Sequence, residues 1–188
     1  LASLLFTLTA QTQTAKAWKM DKSHASVNFS IDHFFTAVTG KFKTFEGTVH
    51  FDPTNLKGSS TNFTIQVASV DTDEKDRDDH LQSEDFFDAK NHPTIVFKST
   101  RIEKISDKEY TVIGNLTMRG TTKEVKLPLK IKGIIDNPWK EGSVIMGVEI
   151  NTQLDRTNWG IGTGSWAATS VVGDEVDIKI SMELDGLK

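Results

Sequence analysis

The sequence predicts an all-β fold, an eight-stranded antiparallel barrel with one short helix in the 72–92 connection. Two observations carry this. Large apolar residues alternate with polar ones in eight separate runs, which at period two means strands with one buried and one wet face. Clusters of Asp, Asn, Pro, Gly and Ser separate most of the runs. Eight such strands in a chain of 188 residues suggest a sheet closed on itself, whose interior is either packed with side chains or holds one small ligand.

The first strand covers 18–32, with Val27, Phe29 and Ile31 on one face. The second covers 40–52 and ends at Asp52-Pro53-Thr54-Asn55. The third, 59–71, carries Phe63, Ile65 and Val67. The fourth, 93–102, holds Phe97, and Ser106-Asp107-Lys108 joins it to the fifth, 109–118, with Val112. Met118-Arg119-Gly120 leads to the sixth, 123–135. Pro128 inside it lacks a ladder donor and points to an edge, a bulge or a seam where the barrel closes poorly. Asp136-Asn137-Pro138 precedes the seventh, 143–154. The eighth, 173–185, has the longest apolar row: Val176, Ile178, Ile180, Met182 and Leu184. These spacings suit an up-and-down meander.

Two connections are long enough to expect a function. In 72–92 a short polar helix is expected over Glu74 to Ser83, with Leu81 facing the barrel and Phe86-Phe87 arguing against disorder. Residues 154–173 carry Trp159, Trp166 and four of the thirteen glycines. Aromatic loops of this kind sit naturally at a barrel mouth.

Composition narrows the function. The net charge is −4, from 22 basic and 26 acidic residues, which gives no basic stripe for nucleic acid. With no cysteine, disulfides and thiolate metal sites are excluded. The acidic run from Asp71 to Asp79 fails as a calcium loop, with Lys75, Asp76 and Gln82 where a ligand, a glycine and a glutamate are needed. Acids at a helix start are the better account. The five histidines form no zinc pattern. His80 with Asp78 and Asp79 reads as a loop hydrogen-bond network. Gly160-Ile161-Gly162-Thr163-Gly164 has neither a βαβ unit nor the lysine of a phosphate loop, and its glycines indicate a tight turn or close backbone approach. There is no nucleophile elbow. Three Asn-X-Ser/Thr triplets fall inside predicted strands and read as chance.

The interior is the main functional question. Strands of ten to thirteen residues span roughly 33–43 Å, so a tilted barrel stands ~25–33 Å tall. An alkyl ligand gains roughly 0.8 kcal/mol per buried CH₂, of which association consumes half or more, so a hollow bore favours a long chain. A filled barrel with a surface role remains equally open on these grounds.

Three ordered motifs then carry a resemblance. The first runs from Val70-Asp71-Thr72 through Arg77-Asp78, His80-Leu81, Ser83, Asp85-Phe86-Phe87 and Pro93 to Phe97-Lys98-Ser99-Thr100. The second is Gly114 to Lys123, and the third is Arg156-Thr157-Asn158-Trp159-Gly160-Ile161. Together, over Trp18 to Leu187, the chain resembles the YceI-like family of polyisoprenoid-binding proteins. The resemblance implies a lipocalin-like barrel, export to the periplasm, and a long isoprenoid chain such as a polyprenyl phosphate or isoprenoid quinone as ligand. It implies no catalytic activity and no cofactor beyond that lipid. Expected partners are the lipid and, transiently, a membrane, with the protein a monomer or homodimer. The alternatives are an enzyme of isoprenoid or quinone metabolism using the same bore, and a filled structural barrel. The third motif departs from the family's frequent Asp-Phe by having Asn158-Trp159.

The residues expected around the ligand follow. Val27, Phe29, Ile31, Phe63, Ile65, Val67, Phe97 and Val112 should line a continuous apolar tunnel. Phe34, Phe35, Phe42 and Phe45, beside His33, Lys41 and Lys43, should form a mouth where a tail passes and a polar head stops. Phe86 and Trp159 join them from the long loops. Arg77 and Arg156 are head-group candidates because arginine binds phosphate bidentately, the rival reading being that they brace the loops through carboxylates such as Asp78 or Asp155.

Leu1 to Ala10 is apolar without alternation and far shorter than the ~20 residues of a membrane-spanning helix. With Ala15-Lys16-Ala17 it reads as the end of a secretory signal, 1–17, cleaved to leave a single domain over 18–188. The alternative is an amphipathic N-terminal segment.

Overall fold

Inward-facing apolar rows and outward polar ones curl the chain into a closed sheet. The computed structural model describes residues 13–167 and 171–188; the apolar run 1–10 lies outside the described residues. The strand segments are β1 (Ala17–His33), β2 (Thr36–Phe42), β3 (Phe45–His50), β4 (Ser60–Gln66), β5 (Val70–Asp71), β6 (Thr94–Lys104), β7 (Glu109–Met118), β8 (Thr121–Asp136), β9 (Ser143–Asp155) and β10 (Val172–Leu187), with one helix, α1 (Lys75–Gln82). β2 and β3 are halves of one barrel strand, and β4 and β5 halves of the next. Counted so, eight antiparallel strands follow one another around the barrel and pairing of β1 with β10 closes it. Among the described residues no helix is long and apolar enough to cross a membrane.

Two departures from the sequence reading have local causes. The third strand does not run unbroken to 71: a single 3-10 turn, Val67–Ser69, bends it. Ser69 fixes that corner, its Oγ accepting from the Thr44 N–H at 3.0 Å and donating to the Gln66 carbonyl at 2.7 Å. The second strand begins at Thr36 rather than 40, because the chain reverses tightly at Phe34-Phe35. Neither position carries the glycine or asparagine that marks such a turn.

Pro128 does mark a seam. It pairs with Thr111 on β7, but pairing of β8 with β9 begins only one residue later, at Leu129–Ile150. From there toward the end holding Met118 and Asp155, β8 and β9 are each paired on their other side only. A proline cannot donate across the gap.

The two ends of the barrel differ. At the end where β1 starts, the bore is packed by Trp18, Phe51, Tyr110, Val112, Ile131, Met146 and Leu184, all buried. Trp18 Nε1 donates to the Phe51 carbonyl at 2.9 Å, and the Phe51 and Tyr110 rings meet edge to face at 5.0 Å. Residues 13–17 join this closed end: the Ala15 N–H donates to the Gly58 carbonyl at 2.9 Å and Ala15 is buried. Those last residues of the 1–17 segment are therefore packed on the barrel rather than detached from it.

Candidate functional site

Toward the other end the bore is hollow, with a cavity of about 550 Å³. Its wall repeats the period-two rows of neighbouring strands: Val27, Phe29 and Ile31 on β1, Phe63 and Ile65 on β4, Ile95 and Phe97 on β6, and Val176, Ile178, Ile180 and Met182 on β10. The next inward residue of β10, Leu184, already belongs to the packed end. The expected continuous tunnel is thus a blind pocket. A second, more open hollow of about 660 Å³ lies beside β1, β2, β9 and β10 and includes Lys41, Asp71, Asp177 and Lys179. The smaller one is the candidate site, because it is the more enclosed of the two and its wall is almost entirely carbon.

Both long connections cover the mouth. Glu74 caps α1, its carboxylate accepting from the Arg77 N–H at 2.7 Å, and the helix turns Leu81 and His80 to the cavity. His80 stands edge-on to Phe86 at 5.0 Å and to Trp166 at 4.9 Å. Phe87 meets Phe42 at 5.9 Å, and Phe42 meets Phe29 at 5.6 Å. An aromatic chain therefore runs from the lid into the wall. Apart from Thr152 on β9, the polar groups at the cavity collect at this end: His33, Thr72, Glu74, Asp76, Arg77, His80 and Arg156.

The two arginines are not equivalent. Arg156 is 4% exposed and is enclosed by its own loop. Its guanidinium donates to the carbonyls of Ile161, Gly162, Trp166, Val172 and Gly173 and, at 3.2 Å, to Asp174. Five N–H groups are all the side chain has, so none is left for a head group. The bracing view holds, but through backbone carbonyls and Asp174 rather than Asp155. Burial pulls the Arg156 pKa below the ordinary guanidinium value, and Asp174 and Asp155 push the other way. Gly160, Gly162 and Gly164 all have positive φ, and this left-handed backbone lets the loop wrap the guanidinium. Arg77 is less committed. Nε donates to Thr72 Oγ1 at 2.8 Å and Nη2 to the Thr72 carbonyl at 2.7 Å, and the side chain borders the cavity.

The structure brings Val27, Phe29, Ile31, His33, Phe42, Phe63, Ile65, Arg77, Phe86, Phe97 and Arg156 to the cavity. It places the other expected residues elsewhere. Val112 lies in the packed end, and Val67 is buried in the 3-10 corner. Phe45 packs against the core from β3. Trp159 is buried, with Nε1 donating to the Leu116 carbonyl at 3.1 Å. Phe34 and Phe35 are exposed at the hairpin tip, on the rim rather than in the wall. Lys41 and Lys43 flank Asp71 at 3.7 and 3.3 Å.

Sequence reasoning missed several residues. The β10 row is the clearest alternation in the chain and lines the pocket, yet its residues were not expected at the site. Arg119 lies in the second motif and in the turn before the sixth expected strand, but neither signal gave it a role at the site. It bridges three mouth segments, donating to the carbonyls of Glu84 and Gly160 from the β7–β8 turn. Outside the pocket, Asp21, His24 and Glu183 cluster within 4.8 Å on the barrel exterior.

Comparison with known proteins places this geometry. Residues 18–184 match the model of the YceI-like domain. Protein YceI of Salmonella arizonae is 39% identical over 186 residues, covering 97% of this chain and 93% of that protein. The crystal structure of Burkholderia cenocepacia BcnA superposes with a TM-score of 0.77 at 30% identity, covering 88% of this chain and 99% of that one. A polyisoprenoid-binding domain from Saccharophagus degradans shares the fold, with a TM-score of 0.70 at 11% identity over 91% of this chain and 99% of its own.

Proposed function

This chain belongs to the YceI-like family, and on that premise we propose that it holds the apolar tail of a long-chain isoprenoid lipid in the hollow half of its barrel. The observation that carries the reading is the blind, carbon-walled cavity of about 550 Å³ with its polar groups gathered at the mouth. A tail with a single polar end fits that asymmetry. At ~30 Å³ per water-sized group the cavity takes roughly eighteen carbons, and at ~0.8 kcal/mol each their burial leaves a net affinity after association costs.

The head, a phosphate or a quinone carbonyl, sits at the mouth near Arg77, whose guanidinium is bonded, among the described residues, to Thr72 alone. The fold shared with the Saccharophagus degradans domain supports the same class of ligand. The protein acts as a carrier or sequestering protein in the periplasm and performs no chemistry on its cargo.

Lipid extraction and mass spectrometry of the purified protein test the reading. A stoichiometric polyprenyl species is expected, and its loss from an Ile178→Trp variant would locate it in the bore. A chemically altered lipid would favour an enzyme. An empty protein that also takes up no polyprenyl phosphate or quinone would defeat the reading.

A further inference from the structure

We propose that the Phe34-Phe35 tip of the β1–β2 hairpin is a bilayer anchor that docks the cavity mouth onto a lipid surface. The inference rests on the reading that the cavity takes up a membrane lipid. Its own observations are local. Phe34 is 56% and Phe35 102% exposed. They occupy both central positions of a two-residue reversal, between His33 and its pair Thr36. Phe34 has φ +52, in the left-handed region that glycine and asparagine tolerate and a bulky side chain does not. The aromatic pair is therefore held out in water on a backbone that opposes it. Nothing about the hairpin itself requires that, since Phe35 has no positive φ and a glycine at position 34 alone would turn the chain with less strain.

The location supplies the purpose. The Phe34 N–H donates to the Val171 carbonyl at 2.9 Å, and His33 and Val172, on either side of that bond, border the cavity. The His33 and Phe34 rings meet edge-on at 4.7 Å. The exposed pair therefore stands on the rim of the opening through which a tail must pass. Its size selects the occupant. With Phe34 about half exposed, the two phenylalanines offer roughly 240–400 Å², short of the ~800 Å² per partner of a stable protein interface, yet sufficient for a shallow, reversible hold on a bilayer interface. The flanking residues are Asp32, His33 and Thr36, with no basic cluster. The attraction is therefore apolar, and salt should not abolish it.

The test compares wild type with Phe34→Gly/Phe35→Asn and with Phe35→Ser, all in the full chain, by flotation on phosphatidylcholine vesicles doped with a polyprenyl phosphate. Trp139→Ser serves as control, since Trp139 is exposed at the opposite end of the barrel. Wild type and Trp139→Ser should float, at low and high salt alike. Both tip variants should lose about tenfold in vesicle association and in the rate of lipid transfer. Their binding of the same polyprenyl phosphate in detergent should be unchanged, and the Gly-Asn variant should melt no lower than wild type. Tip variants that float like wild type overturn the proposal, as does flotation lost only in Trp139→Ser. A wild-type dimer that the tip variants dissociate also overturns it, because a second copy then covers the tip. Phe-dependent flotation of a protein that binds no lipid in detergent supports the anchor while defeating the cargo reading, so the two failures are distinguishable.

Discussion

Phe29 on β1 and Gly40 on β2 face each other across the ladder, and the ring fills the space where the glycine has no side chain. A Cβ on Gly40 would come within 2.8 Å of Phe29 Cε1. The same relation recurs between Phe63 and Gly47, Phe97 and Gly114, and Trp18 and Gly186. In each case a glycine makes room for an aromatic ring, and three of the four rings line the cavity wall. Gly40→Val should push the Phe29 ring into the bore. Overpacking costs roughly 1–3 kcal/mol, read as a lower urea midpoint. Lipid binding, measured by fluorescence competition, should fall at least tenfold. Unchanged binding would mean that the ring does not border the ligand.

Arg156 should behave as a structural residue. Arg156→Ala leaves a set of buried carbonyls without their donor, at a cost of about 3–5 kcal/mol by analogy with broken buried ion pairs. At ~2–4 °C per kcal/mol in a domain of this size, the melting temperature should drop by roughly 6–20 °C. A variant that melts like wild type but loses lipid affinity would restore the head-group role.

Arg77→Gln should do the reverse. Its two hydrogen bonds to Thr72 are local and partly exposed, so stability should fall by only about 1 kcal/mol. Affinity for a polyprenyl phosphate should fall about tenfold, while affinity for the uncharged polyprenol should stay level. Equal losses for both ligands would remove Arg77 from the head-group site.

Acid should loosen the mouth through Asp155. Its carboxylate accepts from Thr157 Oγ1 and, at 2.9 Å, from the Thr157 N–H. These hydrogen bonds, the hydroxyl's first, hold its pKa below the ordinary aspartate value, with a smaller contribution from the Arg156 charge. The folded state thus holds this proton less tightly than the unfolded chain. The contribution is complete above the ordinary aspartate value and fades as pH falls through the lowered folded one. Asp155→Asn should flatten the acid limb of the stability profile in that window and leave its neutral region parallel to wild type. A steeper acid limb in the variant would contradict the assignment.

Period-two alternation made the barrel legible, because a strand with one buried face has no other way to write itself. The pocket wall was legible for the same reason along β1, β4 and β6. Alternation gives the face of a residue but not its height along the bore, so Val112 was expected in the hollow half and lies in the packed one. Turn chemistry failed where the chain breaks its own rules. Phe34-Phe35 turns without glycine, and Val67–Ser69 bends on a serine bridge to Thr44 that only the fold brings together. Arg156 and Arg119 satisfy carbonyls that are distant in sequence or set by loop geometry, and no local pattern announces such a bond.

The floor of the cavity should set how much tail is held. Met182 is the last residue of β10 to border the hollow, and beneath it Leu184, Met146 and Tyr110 are 2% exposed or less. Met182→Trp should raise the floor. If the indole displaces about three methylenes, at ~0.8 kcal/mol each, affinity for a long prenyl chain should fall roughly fiftyfold. A chain too short to reach the floor should bind as before. Tyr110→Ala should act in the opposite sense, deepening the bore while costing about 3–5 kcal/mol of stability through the void it leaves. Titrating each variant with a series of prenyl phosphates of increasing length separates the two effects. The length at which affinity stops rising should shorten in Met182→Trp and lengthen in Tyr110→Ala. The same plateau in all three proteins would show that the tail does not reach the floor.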